Sequence, residues 1–308
     1  MINRRKFITM FSGIAASFFA MGHSIRDPGE MSETPVDFIG PPTPRALAKK
    51  PPDSKIFSVV ISDHHPDTVI VDNIAAHNFT ELKNPRQDVI LSDADKKSFY
   101  AALARLERLQ GYVGYGNFNV ISWDQSLRIA RNSSQVGSFS QAEIDFIEQL
   151  FFSEAVTLGF YGDKVVTQLS GTIAKRDVVK IRATGHYLFK GTAVDTYQKI
   201  RKDVGESIVL TSGVRSVVKQ IHLFLSKASK VNGNLSMASH SLAPPGHSYH
   251  AIGDFDVGKK GFGRKNFSEE FALTDEFKRL SDLGYLDIRY PQNNPYGVRY
   301  EPWHIKVV

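Results

Sequence analysis

Apolar residues recur at helical spacing in two stretches near the middle of the chain. The first runs from Ser92 to Leu109, and its apolar positions fall on one side of an α-helix. The second is SQAEIDFIEQLFF, in which Ser140 and Glu143 form a capping-box pattern ahead of an apolar stripe. Because such stripes are typical of helices that pack on a core, the pattern predicts a mainly helical N-terminal module over residues 56–175.

Farther along the chain the pattern changes to strands mixed with helices. RDVVKIRA alternates as a strand does, and ESIVLTSGVRSVVKQIHLFLSKASK predicts a strand, a turn and a helix. The last stretch predicts a helix closed by Gly284 and then a β-hairpin, with Asn293, Asn294 and Pro295 in its turn. Since no βαβ unit repeats, the predicted fold class is α+β, a small antiparallel sheet with flanking helices over residues 176–308.

The N-terminal residues have the architecture of an export signal. Arg4 and Arg5 precede an uncharged run that ends at Gly22 and is shorter than the roughly 20 apolar residues of a spanning helix. The arginine pair with Phe7 resembles a twin-arginine signal, and an ordinary secretory signal or an uncleaved anchor are the alternatives. We therefore expect residues 1–25 to direct export to the periplasm, with no stable membrane span after processing.

A proline-rich stretch follows the signal. Residues 26–55 are rich in proline and polar side chains, which predicts a linker because such a segment buries little apolar surface. Two Val- and Ile-rich stretches after it, FSVVISD and DTVIVDN, predict short strands.

Composition narrows the possible chemistry. The 308 residues are 42% hydrophobic and 23% charged, which is typical of a globular protein. The net charge of +6 favours an anionic partner such as a cell-wall polymer, and the absence of any block of five basic residues argues against nucleic acid. The chain has no cysteine, so disulfides, thiol catalysis and thiolate metal sites are excluded, and a metal would need His, Asp or Glu.

Two stretches near the end of the chain, PPGHSYHAIGDFDVG and EPWHIKVV, concentrate histidines and carboxylates. A catalytic zinc typically takes three protein ligands, and His250, Asp256 and His304 would supply two nitrogens and one oxygen. Glu301 lies three residues before His304 and could act beside the metal as a general base. No His-Glu-x-x-His pattern occurs, which excludes that class of zinc protease.

These stretches resemble the VanY-type metallo-D,D-carboxypeptidases. That family belongs to a group of peptidoglycan peptidases that includes lysostaphin-like enzymes and shares its fold with the hedgehog signalling domain. Its pattern Ser-x-His-x-x-Gly-x-Ala-x-Asp, followed by Glu-x-Trp-His, is matched at Ser248, His250, Gly253, Glu301, Trp303 and His304. An earlier block, TSGVRSVVKQ, resembles the family's Ser-Gly-x-Arg-Ser…Gln segment at Ser212, Gly213, Arg215, Ser216 and Gln220.

The metal carboxylate departs from the family pattern by one residue. The family aspartate lies four residues after the motif glycine, whereas Asp256 lies three after Gly253 and Asp254 lies one after it. A one-residue shift on a strand normally reverses the face, unless a bulge in GDFD restores the direction of the side chain. We predict Asp256 as the ligand and keep Asp254 as the alternative.

The resemblance implies a zinc-dependent D-alanyl-D-alanine carboxypeptidase that removes the terminal D-Ala from peptidoglycan stem peptides ending in D-Ala-D-Ala. It implies that Glu301 is the general base and that Arg215 binds the substrate or polarises the scissile carbonyl. Ser248 would bind the terminal carboxylate and Gln220 would line the pocket. The alternatives are a peptidoglycan endopeptidase, an L,D-carboxypeptidase of the same fold, or a non-catalytic cell-wall-binding protein.

Other histidines carry weaker signals. His247 precedes His250 by three residues and is interpreted as a loop residue, with a role behind the metal ligands as the alternative. His186 lies in a Gly-containing stretch that lacks the Lys-Ser/Thr pair of a phosphate loop, and it could border the cleft.

Overall fold

The computed structural model describes residues 87–308. The predicted export signal, the linker and the two strands in FSVVISD and DTVIVDN lie outside the described residues. Within residues 87–308, no helix is both long enough and apolar enough to cross a bilayer.

The first part of the described chain is helical, as the apolar spacing predicts. Its elements are α1 (Asp93–Val113), α2 (Tyr115–Phe118), α3 (Trp123–Asn132) and α4 (Gln141–Phe152). Ser92 caps α1, and both halves of the capping box predicted at Ser140 and Glu143 are present at α4. Helix α3 was not predicted, although Ser122 and Gln125 form the same capping box at its start.

The second part alternates short strands with helices. Its elements, in chain order, are β1 (Val178–Lys180), β2 (Tyr187–Phe189), α5 (Thr192–Val204), β3 (Ile208–Ser212), α6 (Val217–Ser229), α7 (Leu235–Ser239), β4 (Phe255–Lys259), α8 (Asp275–Asp282) and β5 (His304–Ile305). Strands β1 and β2 form a two-stranded antiparallel sheet, and β3, β4 and β5 form a three-stranded one in that order. This mixture of small antiparallel sheets and helices confirms the predicted α+β class.

The β-hairpin predicted after Gly284 forms only in part. Gly284 does follow α8 with a positive φ of 73°, and an antiparallel bridge joins Ile288 to Ile305. The backbone nitrogens of Glu301 and Lys306 also donate to the carbonyls of Tyr290 and Asp287, but residues 285–303 form no regular strand. Prolines and positive-φ turns interrupt the segment, and Tyr290 and Val298 pack into a small cluster around Phe160. Of the predicted hairpin, only β5 therefore becomes a regular strand of the sheet.

Two apolar cores hold the described chain together. One joins α1, α3 and α4 to the buried face of α6, including Phe99, Leu106, Ile147 and Phe224. The other lies between the three-stranded sheet, α5 and α8. Because α6 begins directly after the Arg215 block, packing of this helix on the N-terminal helices fixes the position of that block.

Candidate metal centre and adjoining pocket

The three-stranded sheet brings the motif residues together. Asp256 on the central strand β4 pairs in register with His304 on β5 and with Ser212 on β3. The expected bulge in GDFD lies instead on β3, where the register shifts between Leu210 and Ser212. Two residues of β3 there oppose one residue of β4, which redirects the end of β3 toward Asp256.

His250, Asp256 and His304 converge at one buried point. Their nearest ligand atoms all lie within 4.8 Å of one another. Oδ1 of Asp256 lies 3.2 Å from Nε2 of His250 and 3.4 Å from Nδ1 of His304. This oxygen is buried and has no hydrogen-bond partner among residues 87–308. Since buried acceptors are almost always satisfied, an orphaned oxygen facing two imidazole nitrogens fits a cation such as zinc.

Hydrogen bonds behind the two histidines determine which nitrogens face Asp256. Nδ1 of His250 lies 2.9 Å from the carbonyl oxygen of Gly213, so Nδ1 carries the proton and Nε2 is free to ligate. Nε2 of His304 lies 2.9 Å from Oδ2 of Asp254, which leaves Nδ1 facing the cluster. Such partners orient metal-binding histidines.

Asp254 lies behind His304, outside the converging group. Its oxygens accept hydrogen bonds from Nε of Arg289, from the backbone nitrogen of Val307 at 2.9 Å and from His304. Phe255, between the two aspartates, is fully buried in the sheet core, so Asp254 and Asp256 share one side of the chain. The structure thus places Asp256 among the candidate ligands and Asp254 where it orients one of them. The ligand assignment itself stays a prediction.

The pKa values of Asp256 and His304 show that carboxylate charge dominates the candidate metal centre. Burial would raise the pKa of Asp256, but His250 and Arg215 lower it to about 2. Burial would lower the pKa of His304, but its hydrogen bonds with Asp254 and Glu301 raise it to about 9. The carboxylates therefore attract positive charge to the centre, whether a proton or a metal ion.

Glu301 stands beside the cluster without joining it. Its Oε2 lies 3.5 Å from Nδ1 of His304, the nitrogen that faces Asp256. A turn holds the residue there, because its backbone nitrogen donates to Tyr290 at 3.0 Å and its carbonyl accepts from His304 at 3.1 Å. Glu301 is buried, so its carboxylate is confined to this position.

Arg215 holds the other oxygen of Asp256. Its Nη2 lies 2.8 Å from Oδ2 of Asp256, and its Nε donates to Oγ of Ser212 at 3.0 Å. The backbone nitrogen of Arg215 also donates to the carbonyl of His250 at 3.1 Å. The guanidinium therefore positions one candidate ligand while it lines the adjoining pocket.

That pocket contains the residues predicted to bind substrate. Ser248 and Gln220 line it together with Arg215. Nε2 of Gln220 donates to the carbonyl of Ala243 at 2.5 Å, whereas its Oε1 is buried and lacks a partner within the described chain. The polar groups of the lining are thus one guanidinium, the hydroxyls of Ser248 and Ser216, of which the second accepts a hydrogen bond from the backbone of Lys219, and the amide of Gln220.

Two other histidines lie near the centre: the sequence gives no sign of the contacts of His247, whereas it already suggests that His186 borders the cleft. Nδ1 of His247 donates to the carbonyls of Gly162 and Asp163, at 3.2 and 3.0 Å, and so ties the loop before His250 to an earlier segment. Burial and then the charge of Arg215 lower the pKa of His186 to about 4, so this imidazole is neutral near the site. The spacing of histidines in the sequence carries no signal for either contact, because the partners are distant along the chain.

Comparison with known proteins agrees with the motifs. Residues 190–308 match the family model described as VanY, D-alanyl-D-alanine carboxypeptidase. No match was found among curated proteins. The chain is similar to a solved VanY variant, a vancomycin-resistance D,D-pentapeptidase in complex with Zn(II), at 21% identity over 47% of this chain and 86% of that one, with a TM-score of 0.35.

Two further solved structures are similar at the same level. VanYB in complex with D-Alanine-D-Alanine is 20% identical over 42% of this chain and 76% of that one, with a TM-score of 0.34. The D,D-dipeptidase VanXYg, in complex with a D-Ala-D-Ala phosphinate analogue, is 20% identical over 48% of this chain and 63% of that one, with a TM-score of 0.35. The family match confirms, over residues 190–308, the VanY-type resemblance that the three motif blocks indicate.

Proposed function

We propose that this protein is a zinc-dependent D,D-carboxypeptidase that removes the terminal D-Ala from peptidoglycan stem peptides ending in D-Ala-D-Ala. The observation that carries the proposal is that His250 and His304 face the buried Oδ1 of Asp256, which has no hydrogen-bond partner within the described residues, and that Glu301 lies beside them. The family match over residues 190–308 supports the D,D-peptidase class.

His250, Asp256 and His304 would hold the metal. Zinc in such a site acts as a Lewis acid and lowers the pKa of water. Glu301 would take the proton from the attacking water and deliver it to the leaving amine, and the position of its carboxylate beside the ligand cluster supports this role.

The pocket groups match the end of a peptide. Arg215 contributes the positive charge that a terminal carboxylate or a developing oxyanion requires, and Ser248 contributes a hydroxyl donor. The Oε1 of Gln220 can only accept a hydrogen bond, and it is buried without a partner within the described chain. A donor, an acceptor and a cation in one small pocket favour a carboxypeptidase over an endopeptidase.

The test combines metal analysis with peptide cleavage. Purified protein should carry one zinc per chain and release D-Ala from a synthetic peptide ending in D-Ala-D-Ala. The C-terminal amide of the same peptide is the matched control, and we expect it to be cleaved far more slowly. Equal cleavage of the acid and the amide would favour the endopeptidase. Cleavage restricted to an L,D bond would favour the L,D-carboxypeptidase. Binding of wall fragments without cleavage would favour the non-catalytic alternative.

The site of action is the periplasm in this proposal, which rests on Arg4 and Arg5 ahead of a short apolar run. Changing both arginines to lysine should retain the protein in the cytoplasm if the twin-arginine route is used. Fractionation with an antibody would measure this, and normal export of the double variant would contradict that route.

A further inference from the structure

One wall of the pocket comes from outside the stretch that matches the family. Val166 lines the pocket with Arg215 and Ser248, although it precedes residue 190, where the family match begins. The pocket therefore combines motif residues with a side chain that the motifs do not include.

The segment that carries Val166 is fixed against the loop before His250. The backbone nitrogen of Val166 donates to the carbonyl of Gly246 at 2.9 Å. His247 donates to the carbonyl of Asp163, and the Tyr249 hydroxyl donates to the Asp163 carboxylate at 3.2 Å. Anchors at both ends of residues 163–166 hold the segment in place, so the wall is preformed.

Gly246 shows how closely the two segments approach. It has a φ of 89°, and a Cβ added there would lie 2.8 Å from the carbonyl oxygen of Val166. A side chain at this position would push the wall away, because contacts below 3.0 Å force a shift. The glycine permits the approach that brings Val166 to the pocket.

The lining contains both polar and apolar side chains. Arg215, Ser248 and Gln220 supply polar groups, whereas Val166, Val217 and Ala251 supply apolar surface. A terminal residue whose carboxylate and amide engage the polar groups would direct its side chain at the apolar ones. Because the branched side chains of Val166 and Val217 line the same small pocket, they limit the room for a substituent larger than a methyl group.

We propose that Val166 determines specificity by limiting the C-terminal residue of the substrate to the size of alanine. This inference rests on the proposed carboxypeptidase function and adds to it the residue that selects the leaving amino acid. The wall belongs to a segment that precedes the family-matched stretch, so the selection depends on that segment.

The test varies only the last residue of the peptide. Wild-type protein, Val166→Ala and Val166→Leu are assayed on peptides ending in D-Ala-Gly, D-Ala-D-Ala and D-Ala-D-Val. Each methylene in such a pocket typically changes kcat/KM by about 10-fold or more. We expect Val166→Ala to raise the D-Val to D-Ala ratio of kcat/KM by about 10-fold, and Val166→Leu to shift preference toward Gly by a similar factor.

Val165→Ala is the matched control. It makes the same change one residue away, on a valine that does not line the pocket. It should leave all three ratios unchanged, and thermal melting would verify that each variant is folded. If wild type cleaves the D-Ala peptide but Val166→Ala leaves the ratios unchanged, or Val165→Ala changes them equally, the role of Val166 is overturned while the proposed function stands. If wild type cleaves none of the peptides, both are overturned.

Discussion

The two sides of the His304 ring make the most instructive comparison in this molecule. Each side has an aspartate, and each aspartate is held by an arginine: Asp256 by Arg215 and Asp254 by Arg289. Behind the ring, both oxygens of Asp254 accept hydrogen bonds. In front of it, Oδ1 of Asp256 has no donor in residues 87–308. A saturated buried carboxylate is structural, whereas an unsatisfied one beside imidazole nitrogens is prepared for a cation.

Electrostatics sharpens the difference between the two sides. Burial would raise the pKa of Asp254, but the hydrogen bonds from His304 and Arg289 hold it well below its usual range. Asp254 thus keeps a negative charge against the back of His304, which increases the basicity of the ring as a ligand. In the proposed metal centre the front carboxylate would supply a ligand atom, and the back carboxylate would tune another ligand, His304.

The front of the ring should give the largest effect. Asp256→Ala removes the orphaned oxygen and leaves two histidines, so we expect zinc content near background and loss of D-Ala release. Metal analysis after dialysis, together with the peptide assay, checks this. A variant that kept one zinc per chain would show that Asp256 is not a ligand, and greater metal loss from Asp254→Ala would reverse the assignment.

Glu301 should separate metal binding from turnover. Glu301→Gln keeps the shape but cannot accept a proton, so zinc content should stay near wild type while kcat falls by about 10²- to 10⁴-fold. The contrast with Asp256→Ala is the control, since that variant loses the metal as well. Turnover close to wild type in Glu301→Gln would contradict the role of general base.

The back of the ring should give a smaller effect. Asp254→Asn retains the volume but removes the charge behind His304, and outer partners of this kind typically change metal affinity by about 10- to 100-fold. Competition with a zinc-binding dye would measure the dissociation constant. An unchanged constant would mean that Asp254 serves only to hold Arg289 and the backbone of Val307.

The parts of this arrangement that the sequence predicts depend on residues that are close together along the chain. The Ser140 capping box and the stripe on α1 depend on neighbouring residues, and both form as expected. The motifs contain His250, Asp256 and His304, which the structure brings to one place: strands β4 and β5 pair Asp256 with His304, and the hydrogen bond to Gly213 holds His250 beside them.

Long-range contacts explain the rest. The register shift opposite Asp256 lies on β3, which is distant in sequence, so GDFD carries no sign of it. The segment before β5 has the spacing of a hairpin strand, yet Tyr290 packs into the cluster that contains Phe160, and the pairing with β5 is reduced to the bridge between Ile288 and Ile305. Val166 reaches the pocket through a backbone contact with Gly246, which no pattern of either segment specifies.

Substitutions of Arg289 and Arg215 should give the smallest effects, and they discriminate best between the two sides of the ring. Lysine keeps the charge but loses the fork of the guanidinium. Arg289 stacks over Tyr249 with its Cζ 3.4 Å from the ring centroid and contacts both oxygens of Asp254, one step further from the metal than Asp254 itself. Arg289→Lys should therefore lower the affinity for zinc by less than about 10-fold, which is the lower limit expected for a residue that contacts a ligand directly. It should not change the preference for acid over amide peptides.

Arg215→Lys differs because Arg215 lines the pocket as well as holding Asp256. It should reduce the acid-to-amide ratio of kcat/KM, since a terminal carboxylate loses its two-pronged partner. Measuring zinc affinity and this ratio in both variants separates the two sides of the ring. If Arg289→Lys altered the ratio and Arg215→Lys did not, the substrate would approach from the Asp254 side, and the division into a reactive front and a supporting back would be reversed.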